Sequence, residues 1–329
     1  MGWIKNGSAR MVGLVVLLLV WVSGFQAVAA ETVRVGILKF GTVNWELDVM
    51  KHHKLDEKNG IVVDPVFFAG EDAAGVALMA GSVDMIVSDW LWVSRERAMG
   101  GDLTMTPYST ATGALMVPKD SPIKSLADLR GRKIGVAGGP LDKSWLFLQG
   151  MARQGSSRDL ATDNEIAYGA APLLAEKARQ GELDAVLNFW QYCARLEAAG
   201  FRRLVSSGEA IEALGASGPV SSLGYIFHDA WAKAHPDAVT GFIQASADAK
   251  AIMASSDVEW DRLAPVVKAD GGDLTVLRDR YREGIPSRTV AQEEQDAEKL
   301  YAVLMKLGGE KLVGPSPKLM PGTFWGTGG

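Results

Sequence analysis

The sequence contains one cysteine, Cys193, in 329 residues. No internal disulfide can form, and neither a Cys-x-x-Cys pair nor a cysteine-built zinc site is available. Histidine is also scarce, with four in the chain. His52 and His53 are adjacent on a predicted solvent-facing helix and so point different ways. The His/Glu spacing of a zinc protease is missing. So are the Gly-x-x-x-x-Gly-Lys loop that cradles phosphates and the Gly-x-Ser-x-Gly nucleophile turn. The chain therefore reads as a binder and not an enzyme, with no catalytic residue, metal ligand or cofactor expected. Basic charge is short too, with 34 Lys and Arg against 39 Asp and Glu and a formal charge of −5. That balance leaves no electrostatic footprint for nucleic acid and no basic patch for anionic lipid.

Long apolar runs are missing after the first two dozen residues, so no later segment is expected to cross a membrane. The start is different. Lys5 and Arg10 precede the apolar run Met11–Val22, and Ala27-Val-Ala29-Ala30 offers small residues for cleavage. This is the pattern of a secretory signal peptide, 1–30, cut after Ala29 or Ala30. Its removal takes away two positive charges and no acids, moving the formal charge from −5 to −7. A soluble, exported, monomeric protein is expected.

The body of the chain repeats itself. Gly81-Ser-Val-Asp84-Met-Ile-Val-Ser88-Asp89-Trp90 returns one hundred residues later as Gly181-Glu-Leu-Asp184-Ala-Val-Leu-Asn188-Phe-Trp190. Each copy follows a helical pattern, Gly75–Ala80 and Leu173–Arg179. The physical reading is a helix, a glycine stop, a short buried strand and a polar, aromatic strand exit. Asp84 and Asp184 mark the strand starts and read as turn or capping residues. Strands at 33–37, 61–69 and 103–108 alternate with helices in the first half. Strands at 133–137, 165–168 and 203–206 do the same in the second. Such alternation indicates βαβ units and a mostly parallel sheet. Pro65 marks its strand as an edge or bulge. Leu141–Gln154 reads as a helix with Pro140 at its first position.

Two breaks, at Thr110–Gly113 and Gly208–Ser222, flank the second α/β unit, and helices at about 237–254, 257–269, 273–283 and 289–307 follow it. The expected division is 31–112 plus 221–329 as one discontinuous domain, with 113–220 inserted. A ligand belongs outside the carboxyl ends of strands in such folds, in the cleft between halves.

The segment Ser121-Pro-Ile-Lys-Ser-Leu-Ala-Asp-Leu-Arg-Gly-Arg-Lys-Ile-Gly135, with the doubled Gly-x-(Val/Leu)-Asp strand starts, resembles the solute-binding proteins of ABC importers. The similarity is to their nitrate/sulfonate/taurine and THI5-like branch. It implies a type II periplasmic-binding-protein fold, two βαβ domains joined by two hinge crossings with a helical C-terminal part. It also implies a periplasmic location, a small-molecule ligand, and a permease with a cytoplasmic ATPase as partners. An exported enzyme or ligand sensor acting on a heterocyclic compound is the alternative on the same fold. The chain departs from the family at Gly138-Gly139-Pro140-Leu141-Asp142. There Pro140 removes an N–H donor and Asp142 puts negative charge in the first helical turn.

Trp45, Trp90, Trp145 and Trp190 come from four separate elements, two on each side of the expected cleft. They either clamp a planar or cationic ligand or pack in their own cores. Asn44, Asp142 and Ser144 either touch ligand or serve helix starts. Ser88 and Asn188 stand at the two strand exits, Gly139 at the start of the second domain's helix, and Thr110 and Thr112 at the first crossing. Asp89 has no acidic counterpart at Phe189. As a carboxylate acceptor it would favour an amine or a protonated heterocycle over a plain anion.

Overall fold

The structure, a computed structural model, describes residues 1–2, 30–39, 41–156 and 159–326. The leader features from Lys5 through Ala29, and Phe40 in the first strand's exit loop, lie outside the described residues.

The first half contains β1 (Glu31–Leu38), α1 (Val43–His52), α2 (Leu55–Lys58), β2 (Ile61–Phe68), α3 (Glu71–Met79), β3 (Met85–Ser88), α4 (Trp90–Ala98) and β4 (Leu103–Ser109). The second contains β5 (Ala114–Pro118), β6 (Lys133–Ala137), α5 (Lys143–Ser156), β7 (Glu165–Gly169), α6 (Ala171–Arg179), β8 (Ala185–Asn188), α7 (Trp190–Ala198), β9 (Phe201–Ser206) and α8 (Ser207–Ala213). Strand β10 (Leu223–His228) follows. After it come α9 (Asp229–Ala234), α10 (Pro236–Ser255), α11 (Asp257–Val267), α12 (Gly271–Glu283), α13 (Val290–Gly308) and α14 (Glu310–Val313).

Two five-stranded sheets result, ordered β2-β1-β3-β10-β4 and β7-β6-β8-β5-β9. Each has a parallel trio and one antiparallel strand in fourth place. That fourth strand is β10, arriving from the end of the second unit, in one sheet, and β5, arriving from the first crossing, in the other. This is the expected α/β, type II periplasmic-binding-protein architecture. Strand β2, which carries Pro65, is an edge, where a missing N–H costs no ladder bond.

The internal repeat extends well beyond the motif that revealed it. Helices α3 and α6, strands β3 and β8, and helices α4 and α7 occupy ranges one hundred residues apart. Gly81 and Gly181 both adopt positive φ, 68° and 74°, ending their helices in the left-handed region. Asp84 then donates its N–H to Arg34 O at 2.9 Å and accepts from Arg34 N at 2.8 Å. Asp184 repeats this with Lys133, at 2.9 and 2.8 Å. Both aspartates therefore fix the start of a strand against its neighbour, as turn chemistry and not as an acid/base pair.

Some boundaries differ from the sequence reading. Helix α5 begins at Lys143 rather than Leu141, because the Asp142 carboxylate accepts the Trp145 N–H at 3.0 Å and caps it. Helix α8 interrupts the second break. Its capping box, with Ser206 and Glu209 exchanging hydrogen bonds, outweighs the glycine and serine around it. Helices α12 and α13 lie on α7 and α5 of the second half, so not all of 221–329 packs on the first sheet. The tail returns to that sheet. Trp325 donates its N–H to Met105 O at 2.8 Å, and Phe324 is buried.

Candidate functional site

The carboxyl ends of β1 and β3 face those of β6 and β8, and contacts between the halves form on two flanks. On one flank Trp45, in the first turn of α1, meets Trp190, the first residue of α7. Their rings are 5.8 Å apart and nearly perpendicular. Tyr281 of α12 lies 6.3 Å from Trp45 and 6.4 Å from Trp190, and Trp260 of α11 lies 6.0 Å from Trp45. Edge-to-face packing of this kind adds about 0.5–1.5 kcal/mol per pair beyond area burial.

On the other flank Asp89 accepts from Lys143 Nζ at 2.9 Å. Burial opposes ionisation of Asp89, but Lys143 outweighs it and holds the carboxyl below its usual range. Burial likewise opposes the charge on Lys143, and Asp89 outweighs it, raising the ammonium above its usual value. Asp142 moves the other way, pushed up by desolvation.

The aromatic clamp of four needs correction. Trp90 and Trp145 are 3% and 1% exposed and belong to one continuous apolar core, so they contribute packing. Trp45 and Trp190 are buried too, at 6% and 8% exposure, and meet each other across the halves within the other core. Asp89 is also corrected as an open acceptor for a ligand amine. Its side chain caps α4 by accepting the Trp92 N–H at 2.9 Å, and Lys143 already neutralises it. Asn188 is buried and committed, donating to Ala171 O at 2.9 Å and accepting from Phe189 N at 2.8 Å. Ser88 ends β3 opposite Gly224. The Gly139 carbonyl closes the turn to Asp142 N at 3.0 Å, and Thr110 donates its N–H to Gly284 O at 2.9 Å. Thr112 stands half-buried at the crossing, and Ser144 is half-buried in the first turn of α5. Asn44 lies inside α1 and is not its cap. Its amide donates to Leu38 O at 2.8 Å and Gly41 O at 2.7 Å, shaping the loop before the helix.

Beside Trp45 lies a cavity of about 620 Å³ lined from both halves. Lys39, Thr42, Asn44, Trp45, Asp48, Lys51 and Phe67 come from the first half. Gln191, Tyr192 and Arg195 come from α7, and residues 265–268 from the end of α11. Its ionisable lining is four cations, Lys39, Lys51, Arg195 and Lys268, and one acid, Asp48, and Arg195 also lies 4.0 Å from Asp273. Asp48 is itself paired with Arg262 at 2.6 Å. Lys51 is held by Asp56 at 2.6 Å. Arg195 donates to the Val267 and Lys268 carbonyls at 3.1 and 3.4 Å. Two of its five N–H groups are thereby used. None of these cations was named by the sequence reading. Arg195 is the exception in having a signal, since it lies five residues after Trp190 on an amphipathic helix.

Glu46, the neighbour of Trp45 on α1, is fully buried and receives Lys250 Nζ at 2.6 Å, Ser246 Oγ at 2.6 Å and Tyr225 OH at 2.8 Å. Desolvation lowers Lys250 from its usual value despite Glu46. Cys193 is buried, and desolvation pushes its thiol up to about 11, so it is no ready nucleophile.

Comparison with known proteins accords with this architecture. The NMT1/THI5-like family profile matches residues 57–259, well over half the chain. The chain belongs to the NMT1/THI5-like family. The periplasmic aliphatic sulphonate binding protein SsuA of Escherichia coli superposes with a TM-score of 0.71 at 20% identity, covering 90% of this chain and 92% of that one. The alkanesulfonate-binding SsuA of Xanthomonas axonopodis pv. citri, bound to MOPS, gives 0.66 at 20% identity over 90% and 99%. An ABC transporter protein of Parabacteroides distasonis gives 0.68 at 11% identity over 90% and 99%. No curated protein matches significantly by sequence. At these identities the superpositions show that this NMT1/THI5-like chain shares the fold of sulfonate-binding periplasmic proteins. Among the described residues, no helix is long and apolar enough to cross a membrane.

Proposed function

We propose that this protein is the extracytoplasmic substrate-binding component of an ABC import system, and that it takes a small organic anion into the cavity between its halves. The jaws are 31–112 with 221–329, and 113–220. The family and the leader pattern support a periplasmic location and a permease with its ATPase as partners. The observation that supports the ligand class is the cavity itself. Its volume of about 620 Å³ suits a small organic molecule. Lys39, Lys51, Arg195 and Lys268 line it together with Trp45 and Tyr192, with Lys51 and Arg195 partly offset by Asp56 and Asp273, in a chain whose overall charge is −5. Such local reversal of sign raises the local concentration of anions and speeds their capture. The apolar faces take the body of the solute, while the Arg195 N–H groups not held by α11 take its charged end. The amine preference drawn from Asp89 loses its basis, because Lys143 fills that role. Sulfonates are the first class to try, since two of the proteins that share the fold are sulfonate-binding proteins.

The test is calorimetric titration with 1-pentanesulfonate and with 1-pentanol, which shares its chain but not its charge. One sulfonate should bind per chain and the alcohol should not. Arg195→Met should weaken sulfonate binding by about tenfold or more, the worth of a charge-assisted hydrogen bond. Equal affinity for both probes, or no effect of the substitution, would contradict an anion site here.

A further inference from the structure

We infer that the solute is charged at both ends, a dianion such as a disulfonate or a sulfonate-carboxylate, and that Lys39 is the residue that selects for the second charge. This deepens the reading of the cavity as an anion site and rests on it.

The lining cations differ in what already holds them. Lys51 is paired with Asp56 at 2.6 Å, and the one lining acid, Asp48, with Arg262 at 2.6 Å. Arg195 lies 4.0 Å from Asp273 and donates to the Val267 and Lys268 carbonyls, so its guanidinium is oriented before any solute arrives. Lys39 is different. Among the described residues its ammonium has no ion-pair or hydrogen-bond partner. A lysine without a partner on open surface is ordinary, because water solvates it. Lys39 stands instead on the rim of a cavity, on a wall that Ile37, Pro65 and Phe67 make apolar. Strands β1 and β2 build that wall in register, with Ile37 opposite Phe67. A charge beside a low-dielectric wall acts on a bound ion more strongly than the same charge in water.

The backbone that carries Lys39 is held in place. Its own N–H donates to Phe68 O at 3.1 Å, and the Asn44 amide donates to Leu38 O at 2.8 Å and Gly41 O at 2.7 Å, on either side of it. Asn44 therefore acts through Lys39, by fixing where the β1 exit presents it. The two cations also come from different walls. Lys39 leaves β1 in the first half, and Arg195 stands on α7 in the second, with Trp45 and Tyr192 lining the same space. A solute with one anionic group, seated on Arg195, leaves Lys39 unmatched. A second anionic group on a flexible apolar chain matches it. The cavity volume of about 620 Å³ has room for a chain with a head at each end.

The test compares 1,5-pentanedisulfonate with 1-pentanesulfonate by calorimetric titration in about 0.15 M salt, where charges more than about 8 Å apart are largely screened. The disulfonate should bind about tenfold more tightly. About twofold of that arises because either end can lead, and about fivefold is the worth of an exposed ion pair with Lys39. Lys39→Gln should reduce the ratio to about twofold, and Lys39→Arg should restore it. A ratio of about two in the unsubstituted protein, with the monosulfonate bound, overturns the two-headed solute while leaving the anion site intact. A tenfold ratio that survives Lys39→Gln overturns the role of Lys39. Failure of both probes to bind overturns the anion site and this inference with it.

Discussion

Glu46 is next to Trp45 in sequence, yet the two do unlike work. Trp45 lines the cavity, while Glu46 is buried with Lys250, Ser246 and Tyr225. A buried ion pair costs much to desolvate, so breaking it from one side leaves an uncompensated charge. Lys250→Met should lower unfolding free energy by about 3 kcal/mol in urea titrations. Adding Glu46→Gln should recover part of that loss, since the two sites are coupled. Asp296 offers a pH-dependent case. Burial opposes its ionisation, but Lys299, the Ser217 N–H and Arg288 outweigh it and hold the carboxyl at about 2. Because the folded value lies below the ordinary 3.8, its contribution is present above that value and is lost as pH falls towards 2. Asp296→Asn should therefore cost ~2 kcal/mol at neutral pH and almost nothing near pH 2. Denaturation curves between pH 2 and 6 check the slope. At this scale the sequence was readable where a local pattern marks the residue, however far away its partner lies. Asp84 and Asp184 announced themselves as turn residues by following a glycine stop, although they pair with Arg34 and Lys133. Asp89 did not, because its cap depends on where α4 begins and no local pattern points to Lys143.

The elements were largely legible, for a physical reason: strands covered on both faces read as short apolar runs, and glycines stop the helices between them. The duplication sharpened this by showing each pattern twice. Helix α8 escaped because Gly208 and its neighbours look like a break, although Ser206 and Glu209 carry capping-box spacing. The crossings depend on close approach. A Cβ on Gly113 would overlap the Asn188 carbonyl, and one on Gly284 would come within 2.5 Å of Ala111 Cβ. Gly113→Ala should destabilise by about 2 kcal/mol, since neither backbone can retreat without disturbing β5 and β8. Urea denaturation of the variant, followed by far-UV dichroism, measures it. A neutral result would mean that the crossing is looser than its packing indicates.

Across the whole molecule, the cavity brings together residues 39–67, 191–195 and 265–268, three stretches with no local signal in common. That is why sequence reasoning looked to the strand exits and gave weight to Asp89, which Lys143 already pairs. It did not single out Lys39, Lys51 or Arg195, which line the cavity, Lys51 and Arg195 being themselves paired with Asp56 and Asp273. The acidic surface and the basic cavity mouth also make a prediction about rate. Association of an anionic probe should slow several-fold between 20 mM and 500 mM salt, as stopped-flow tryptophan fluorescence would show. The most direct measurement is a crystal structure of the protein with the sulfonate that binds best in titration. The anionic group should lie beside Arg195, with the apolar body against Trp45 and Tyr192. A ligand seated between Asp89 and Lys143 with that pair broken, or one bound outside the cavity altogether, would contradict the account.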